Sequence, residues 1–261
     1  MNLLLIPVKI LRKLFFLLKQ LKYDQNTFEK IQNNKFNCLN FKRLESKKKL
    51  EKLKKEYNFL SRGMSSEHEL LFYSIAIQSK NKIKNILEIG TFDGANAFLL
   101  SKIFKSAKID TIDLSKKDKD FQNFYNRKNN LKKFIKERDK LLKKNKNIKF
   151  QEINSIKLIL SKKKYDLIWI DGAHGYPTCC IDIINSLKLI NKNGFILVDD
   201  ILLKNHHNDR IYNSVAGFET LKELEKNQII KFELFYKRLD AKYNYDKNKL
   251  KYIALVKKTK I

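Results

Sequence analysis

The sequence predicts an α/β chain built on a doubly wound, mostly parallel sheet with a helical extension in front of it. Three observations predict this. Five short apolar runs rich in β-branched residues, NILEIG, KIDTIDL, IKFQEI, YDLIWID and GFILVDD, are separated by helical stretches. That is the pattern of buried parallel strands joined by right-handed crossovers. A glycine-containing turn follows the first run. Two late runs, IIKFELFYKR and LKYIALVKK, follow each other without a long helix between them, which predicts a final antiparallel pair.

Residues 1–62 read as a basic helical extension and residues 63–261 as the α/β domain. Residues 1–22, MNLLLIPVKILRKLFFLLKQLK, are apolar but interrupted by Lys9, Arg12, Lys13 and Lys19. They fall short of the ~20 uninterrupted residues that a spanning helix needs, and no small-residue cleavage site follows them. A basic amphipathic helix is expected, lying on an anionic membrane surface or packed on protein. The stretch NFKRLESKKKLEKLKKEYNFL has helical periodicity, with its lysine run as a solvated face. Ser61, Arg62 and Gly63 interrupt it, and Ser65-Ser66-Glu67-His68-Glu69 reads as an N-cap with early acids. Residues 115–147 read as an enlarged crossover between the second and third strands. Pro177 sits where a helical turn begins, with Cys180, Ile183, Ile184 and Leu187 as its expected buried stripe.

Composition narrows the function. Of 261 residues, 43% are hydrophobic, enough for a full core, and the formal net charge is +28. Such a surface attracts nucleic acid, anionic lipid or acidic substrates. Lysine far outnumbers arginine, however, and specific nucleic-acid readers favour arginine forks, so nucleic acid is not the expected partner. Cys38, Cys179 and Cys180 give no disulfide framework and no zinc spacing, and a reducing cytoplasm is the simplest compartment.

The sharpest motif is Leu87-Glu88-Ile89-Gly90-Thr91-Phe92-Asp93-Gly94-Ala95-Asn96-Ala97, at a strand-to-helix turn. Gly90 allows a tight turn and close approach of a ligand to the backbone, and Gly94 lets the helix start close to the strand. The helix start offers free N–H groups to a polar ligand. The spacing is E-x-G-x-x-x-G. It lacks the middle glycine of a dinucleotide site, and it is not the G-x-x-x-x-G-K-[ST] of a nucleoside triphosphate site. About 20 residues on, Asp113 ends the second strand, where a carboxylate can accept both ribose hydroxyls.

This stretch resembles the first motif of class I S-adenosylmethionine-dependent methyltransferases, and EIGTFDG is closest to the catechol O-methyltransferase-like branch. The resemblance implies a seven-stranded Rossmann-like methyltransferase fold that binds S-adenosylmethionine. It implies that Glu88, Gly90, Thr91, Phe92, Asp93 and Gly94 cradle the amino-acid end of the cofactor. Asp113 then takes the ribose, and Asn154 and Ser155 take the adenine edge.

Two further motifs carry chemistry. Trp169-Ile170-Asp171-Gly172-Ala173-His174 follows the fourth strand, and Leu197-Val198-Asp199-Asp200 ends the fifth. Ligands of an open α/β sheet bind beyond the carboxyl ends of its strands, so Asp171, His174, Asp199 and Asp200 should share one crevice. Three carboxylates there need neutralising, and magnesium is the ordinary choice. The pair DGxH and DD resembles metal-dependent small-molecule O-methyltransferases, including the macrocin O-methyltransferase type. That resemblance implies Asp171, Asp199 and Asp200 as Mg2+ ligands, His174 as base, and Asp171 beside both cofactor and chemistry. His206, His207 and Arg210 follow in a polar loop that either contacts substrate or is simply solvated.

The expected activity is therefore Mg-assisted O-methylation of a small hydroxylated acceptor such as a sugar, glycan precursor or secondary metabolite. It would take place in the cytoplasm, with residues 1–22 either lying on the membrane surface or docked on protein. Two alternatives stand beside it. An RNA or protein methyltransferase of the same fold is favoured by the charge but lacks an N/D-P-P-Y/F tetrad after the fourth strand. A non-catalytic, membrane-associated nucleotide-binding module is favoured only by the N-terminal helix.

Overall fold

The computed structural model describes residues 10–11, 14–15, 17–18, 23–59, 66–80, 82–123, 130–204, 214–240 and 250–259. The expected boundary at residues 62–63, Ser61, Ser65, His206, His207 and Arg210 lie outside the described residues.

Seven strands form one sheet in the order β3-β2-β1-β4-β5-β7-β6. β1 (Asn85–Ile89), β2 (Lys108–Asp113), β3 (Ile148–Glu152), β4 (Tyr165–Ile170) and β5 (Ile190–Ile201) are parallel. β7 (Tyr252–Lys258) lies antiparallel between β5 and β6 (Ile230–Tyr236). All five apolar runs are strands, and the two late runs form the expected antiparallel pair. The central strands read as unbroken apolar runs because both faces are covered: β1 and β4 each carry four buried residues in succession.

Helices cover those faces. α1 (Gln25–Cys38), α2 (Arg43–Glu56), α3 (His68–Ser79) and α4 (Ala95–Ile103) share one core cluster with the sheet: Phe36, Leu50, Leu53, Phe72 and Leu100 pack with Ile86, Trp169 and Phe235. α5 (Lys119–Asn123) and α6 (Leu131–Lys143) lie in the β2–β3 crossover. α7 (Thr178–Leu189) and α8 (Ala216–Lys226) belong to the opposite face, where Cys179, Ile183, Leu187 and Leu221 join Ile168 and Ile196.

The stripe on α7 is rotated from the expected one. Cys179, Ile183 and Leu187 face the core, whereas Ile184 is 47% exposed and Cys180 is half-buried beneath Thr220. The start of α3 also differs. Glu67 occupies the cap position without a side-chain capping bond, because its carboxylate is taken by Arg43 in a two-pronged pair at 2.8 and 2.9 Å.

Residues of the predicted extension close the free edge of the sheet. Gln32, wholly buried on α1, donates to Tyr236 O at 3.1 Å and accepts from Tyr236 N at 3.0 Å, so its amide pairs with β6 as a strand would. Lys35 Nζ reaches Leu234 O at 2.7 Å, and Glu67 N donates to Lys237 O at 2.9 Å. Among residues 1–22, Ile10, Leu11, Leu14, Phe15, Leu17 and Leu18 are described; they are helical and exposed. Among the described residues no helix is long and apolar enough to cross a membrane.

Candidate active site

The carboxyl ends of β1 to β4 surround a cavity of about 530 Å³, within the range of small-molecule sites. Gly90, Phe92, Asp113, Asn154, Ser155, Asp171 and His174 line it, each of them expected there from sequence. Asp118, Asp120 and Phe121, from the β2–β3 crossover, complete the wall.

The bend after β1 depends on backbone geometry. Gly90 has φ +101°, and a Cβ there would lie 2.2 Å from the Asp171 carbonyl oxygen. Two strand tips thus approach as closely as a bare backbone allows, and a left-handed turn lets them do so. Gly94 has φ +79°, but its neighbour is the Leu142 side chain of α6 rather than the strand, 2.9 Å from a built Cβ. Asp93 accepts the Ala95 N–H at 2.9 Å, at the start of α4.

Glu88, Thr91, Asp93 and Gly94 do not line the cavity. Glu88 is wholly buried below the bend, where it accepts from Asn96 at 2.7 Å and from the Thr111 hydroxyl. Thr111 in turn meets the Thr91 hydroxyl at 2.6 Å. Burial lifts the Glu88 carboxyl to about 8, against its partners' opposing hydrogen bonds. These groups support the cradle from beneath, tying β1, β2 and α4 together.

Asp113, at the tip of β2, accepts the Phe92 N–H and the Leu114 N–H, both at 2.8 Å. Its carboxylate is thereby fixed at the cavity wall. Asn154 accepts the Ile156 N–H at 3.0 Å and starts the 3₁₀ turn Ser155–Leu160.

The second half of the site centres on His174, whose side chain is 15% exposed. Its Nε2 lies 3.7 Å from Asp171 Oδ1 and 3.7 Å from Asp200 Oδ2. Burial lowers its pKa against the pull of Asp200 and Asp199, so the ring is neutral at neutral pH. Asp171 keeps 39% of its side chain accessible within the cleft, yet the enclosing walls, then Asp199 and Asp200, raise its carboxyl well above the ordinary range.

Asp199 and Asp200 lie behind His174 and do not line the cavity. Successive strand residues ordinarily point to opposite faces. Here the β5–β7 register shifts between Val198 and Ile201, and Asp200 has φ 52°. That irregularity turns both carboxylates onto one ammonium: Lys237 Nζ lies 2.6 Å from Asp199 and 2.5 Å from Asp200. Lys251 Nζ adds a contact to Asp200 at 2.6 Å. Burial works against the Asp200 charge, but Lys237, His174 and Lys251 outweigh it and hold its carboxyl below the usual range.

Two of the three expected magnesium ligands, Asp199 and Asp200, therefore meet a different cation. Among the described residues no group of three or more His, Cys, Asp or Glu is arranged to hold a metal ion. Asp199 and Asp200 are already neutralised by lysine, and the donor set does not fit magnesium as it stands.

Sequence reasoning did not find Lys237 and Lys251. β6 runs parallel to β5, and β7 antiparallel, so the residue after β6 and the residue before β7 arrive at the same edge as Asp200. That rule could have singled out these two among 56 Lys and Arg.

Residues 87–201 match the family model described as "Methyltransferase domain". Several solved structures are similar in fold. The O-methyltransferase TomG of Streptomyces achromogenes, solved with SAM, aligns at TM-score 0.51 and 14% identity, covering 91% of this chain and 99% of its own. A caffeoyl-CoA O-methyltransferase candidate from Staphylococcus aureus aligns at TM-score 0.51 and 17% identity, covering 81% of this chain and 91% of its own. An O-methyltransferase candidate from Klebsiella pneumoniae aligns at TM-score 0.50 and 11% identity, covering 90% of this chain and 99% of its own. No curated protein matches the sequence.

Proposed function

We propose that this chain, a methyltransferase with the class I S-adenosylmethionine-dependent fold, moves a methyl group from S-adenosylmethionine to a hydroxyl of a small molecule. One observation carries the reading: a single cavity joins the Gly90 bend and the fixed Asp113 carboxylate to a neutral, buried His174.

The cavity residues fit the cofactor, which supplies an activated methyl on a sulfonium when bound. Asp113, at the tip of β2, would accept the ribose diol. Asn154 and Ser155 line the same cavity and would hold the adenine edge. Asp113, Asp118 and Asp120 make the wall acidic within a chain of net charge +28. An acidic wall favours a cationic sulfonium over a phosphate, which argues against a dinucleotide in the cavity.

His174 accepts the hydroxyl proton of the acceptor as the new O–CH₃ bond forms. Asp171 and Asp200, each 3.7 Å away, orient the ring, and the charged Asp200 stabilises it once it is protonated. Positioning supplies much of the remaining rate, since the transfer is an in-line displacement. The solved structures of similar fold include O-methyltransferases, which supports a hydroxyl acceptor. The chemistry needs no membrane, and residues 1–22 would contribute location only.

The test is calorimetry with S-adenosylmethionine followed by a methyl-transfer screen over hydroxylated sugars and phenolics. Micromolar cofactor binding and transfer to at least one hydroxyl are expected. No binding at millimolar cofactor would end the reading, and transfer to RNA alone, lost steeply with salt, would move the acceptor class.

A further inference from the structure

We propose that Lys237 is the built-in cation of the acceptor side of the cleft. Its ammonium holds the place between Asp199 and Asp200 that a divalent metal would take, so the acceptor engages through one hydroxyl rather than a chelating pair of oxygens. The inference rests on the acceptor binding beside His174, as proposed above.

The distances make lysine and metal mutually exclusive. Lys237 Nζ stands 2.6 Å from Asp199 Oδ2 and 2.5 Å from Asp200 Oδ1. A magnesium ion bonded to those oxygens at about 2.1 Å would fall inside the volume of the ammonium.

Charge argues the same way. Lys237 and Lys251 bring two positive charges to the two carboxylates of Asp199 and Asp200. A divalent ion added there would leave the cluster with surplus positive charge in a buried setting, which is costly.

The lysine is also held from both ends of the chain. Its carbonyl accepts the Glu67 N–H at 2.9 Å, and its N–H donates to Lys251 O at 2.9 Å. Tyr236, the preceding residue, is clamped on both backbone atoms by Gln32. Lys237 is 7% exposed, unlike a surface lysine that could swing away to admit an ion.

A fixed ammonium differs from a metal in what it offers. It has no open coordination positions for two substrate oxygens. It can keep Asp200 charged and aimed at His174, so Lys237 is a positioning residue for the base.

Manganese uptake tests this without any acceptor, by electron paramagnetic resonance on wild type, Lys237→Met and Lys237→Arg at neutral pH. Wild type and K237R should leave a free-ion signal undiminished up to about 1 mM Mn2+. K237M should take up one ion per chain at least tenfold more tightly. The proposal is overturned if wild type binds one Mn2+ that Mg2+ displaces and that D200N abolishes, or if folded K237M binds no better than wild type. Should K237M not fold, the wild-type titration decides alone. Calorimetry with S-adenosylmethionine on the same metal-free wild type separates the two readings. Absent cofactor binding sinks the methyltransferase reading, whereas Mn2+ uptake with cofactor binding intact sinks only this one.

Discussion

Asp113 Oδ2 accepts the Phe92 N–H at 2.8 Å, so one bond joins the tip of β2 to the bend after β1. Phe92 itself has φ 49°, a conformation that a bulky residue adopts only when its surroundings hold it there. Removing the carboxylate releases the bend and deletes the proposed ribose acceptor together. Asp113→Ala should weaken S-adenosylmethionine binding by roughly 10- to 100-fold, the worth of a charge-assisted hydrogen bond or two. Calorimetry checks this, and unchanged affinity would remove Asp113 from the cofactor site.

Gly90→Ala asks more of the backbone. The new Cβ would meet the Asp171 carbonyl at 2.2 Å and would also have to accept φ +101°. A loss of about 2–4 kcal/mol in unfolding free energy is expected from strain and forced separation of the strand tips. Urea denaturation measures it. A loss below about 1 kcal/mol would show that the tips can part cheaply.

His174→Ala should lower turnover by about 10²- to 10⁴-fold, the usual share of a general base. Cofactor affinity should stay within a few-fold of wild type, because the residues proposed for ribose and adenine, Asp113, Asn154 and Ser155, are other parts of the wall. Steady-state kinetics with calorimetry separates the two quantities; normal turnover would dismiss the base.

Glu88 gives a prediction in pH. The unfolded chain ionises this carboxyl near 4.5, whereas the fold retains its proton up to about 8. Between those values the native state binds more protons. This group therefore lowers stability as pH rises through the window and levels off above it. Glu88→Gln keeps a neutral side chain and should remove a slope of at most about 1.4 kcal/mol per pH unit. Denaturation midpoints at pH 5, 6.5, 8 and 9 compare the two proteins, and the same slope in both would point to other groups.

Arg43→Ala tests whether the early helices are integral to the fold. It strands Glu67, whose side chain is 12% exposed, without its two-pronged partner. Breaking a pair this buried costs on the order of 3 kcal/mol. Chemical denaturation reports it, and a change under about 0.5 kcal/mol would mean the helices ride on the sheet without supporting it.

Much of the fold was legible because buried parallel strands declare themselves as short apolar runs, and all five did. Gly90 and Asp113 were legible because a bend and an acid at two strand tips require particular residues. Glu88, Thr91 and Gly94 belong to the same motif, yet motif membership does not say which side chains face the cavity; the pleat turns Glu88 inward. Gln32 could not be read, since its role is to pair with the backbone of β6, 204 positions away. Lys237 and Lys251 were hidden by abundance, as two lysines in a lysine-rich chain carry no local signal. Only the topology distinguishes them.

The antiparallel closure of the sheet has a consequence for how the chain is made. Asp199 and Asp200 are synthesised with β5, but their ammonium partners follow 37 and 51 positions after Asp200. Until then the nascent protein presents a raw strand edge with two uncompensated acids at its end. Late translation thus seals that edge and discharges those acids in one stroke. If Lys237 is the built-in cation proposed above, a polypeptide stalled before residue 237 would take up divalent ions at Asp199 and Asp200 more readily than the finished chain.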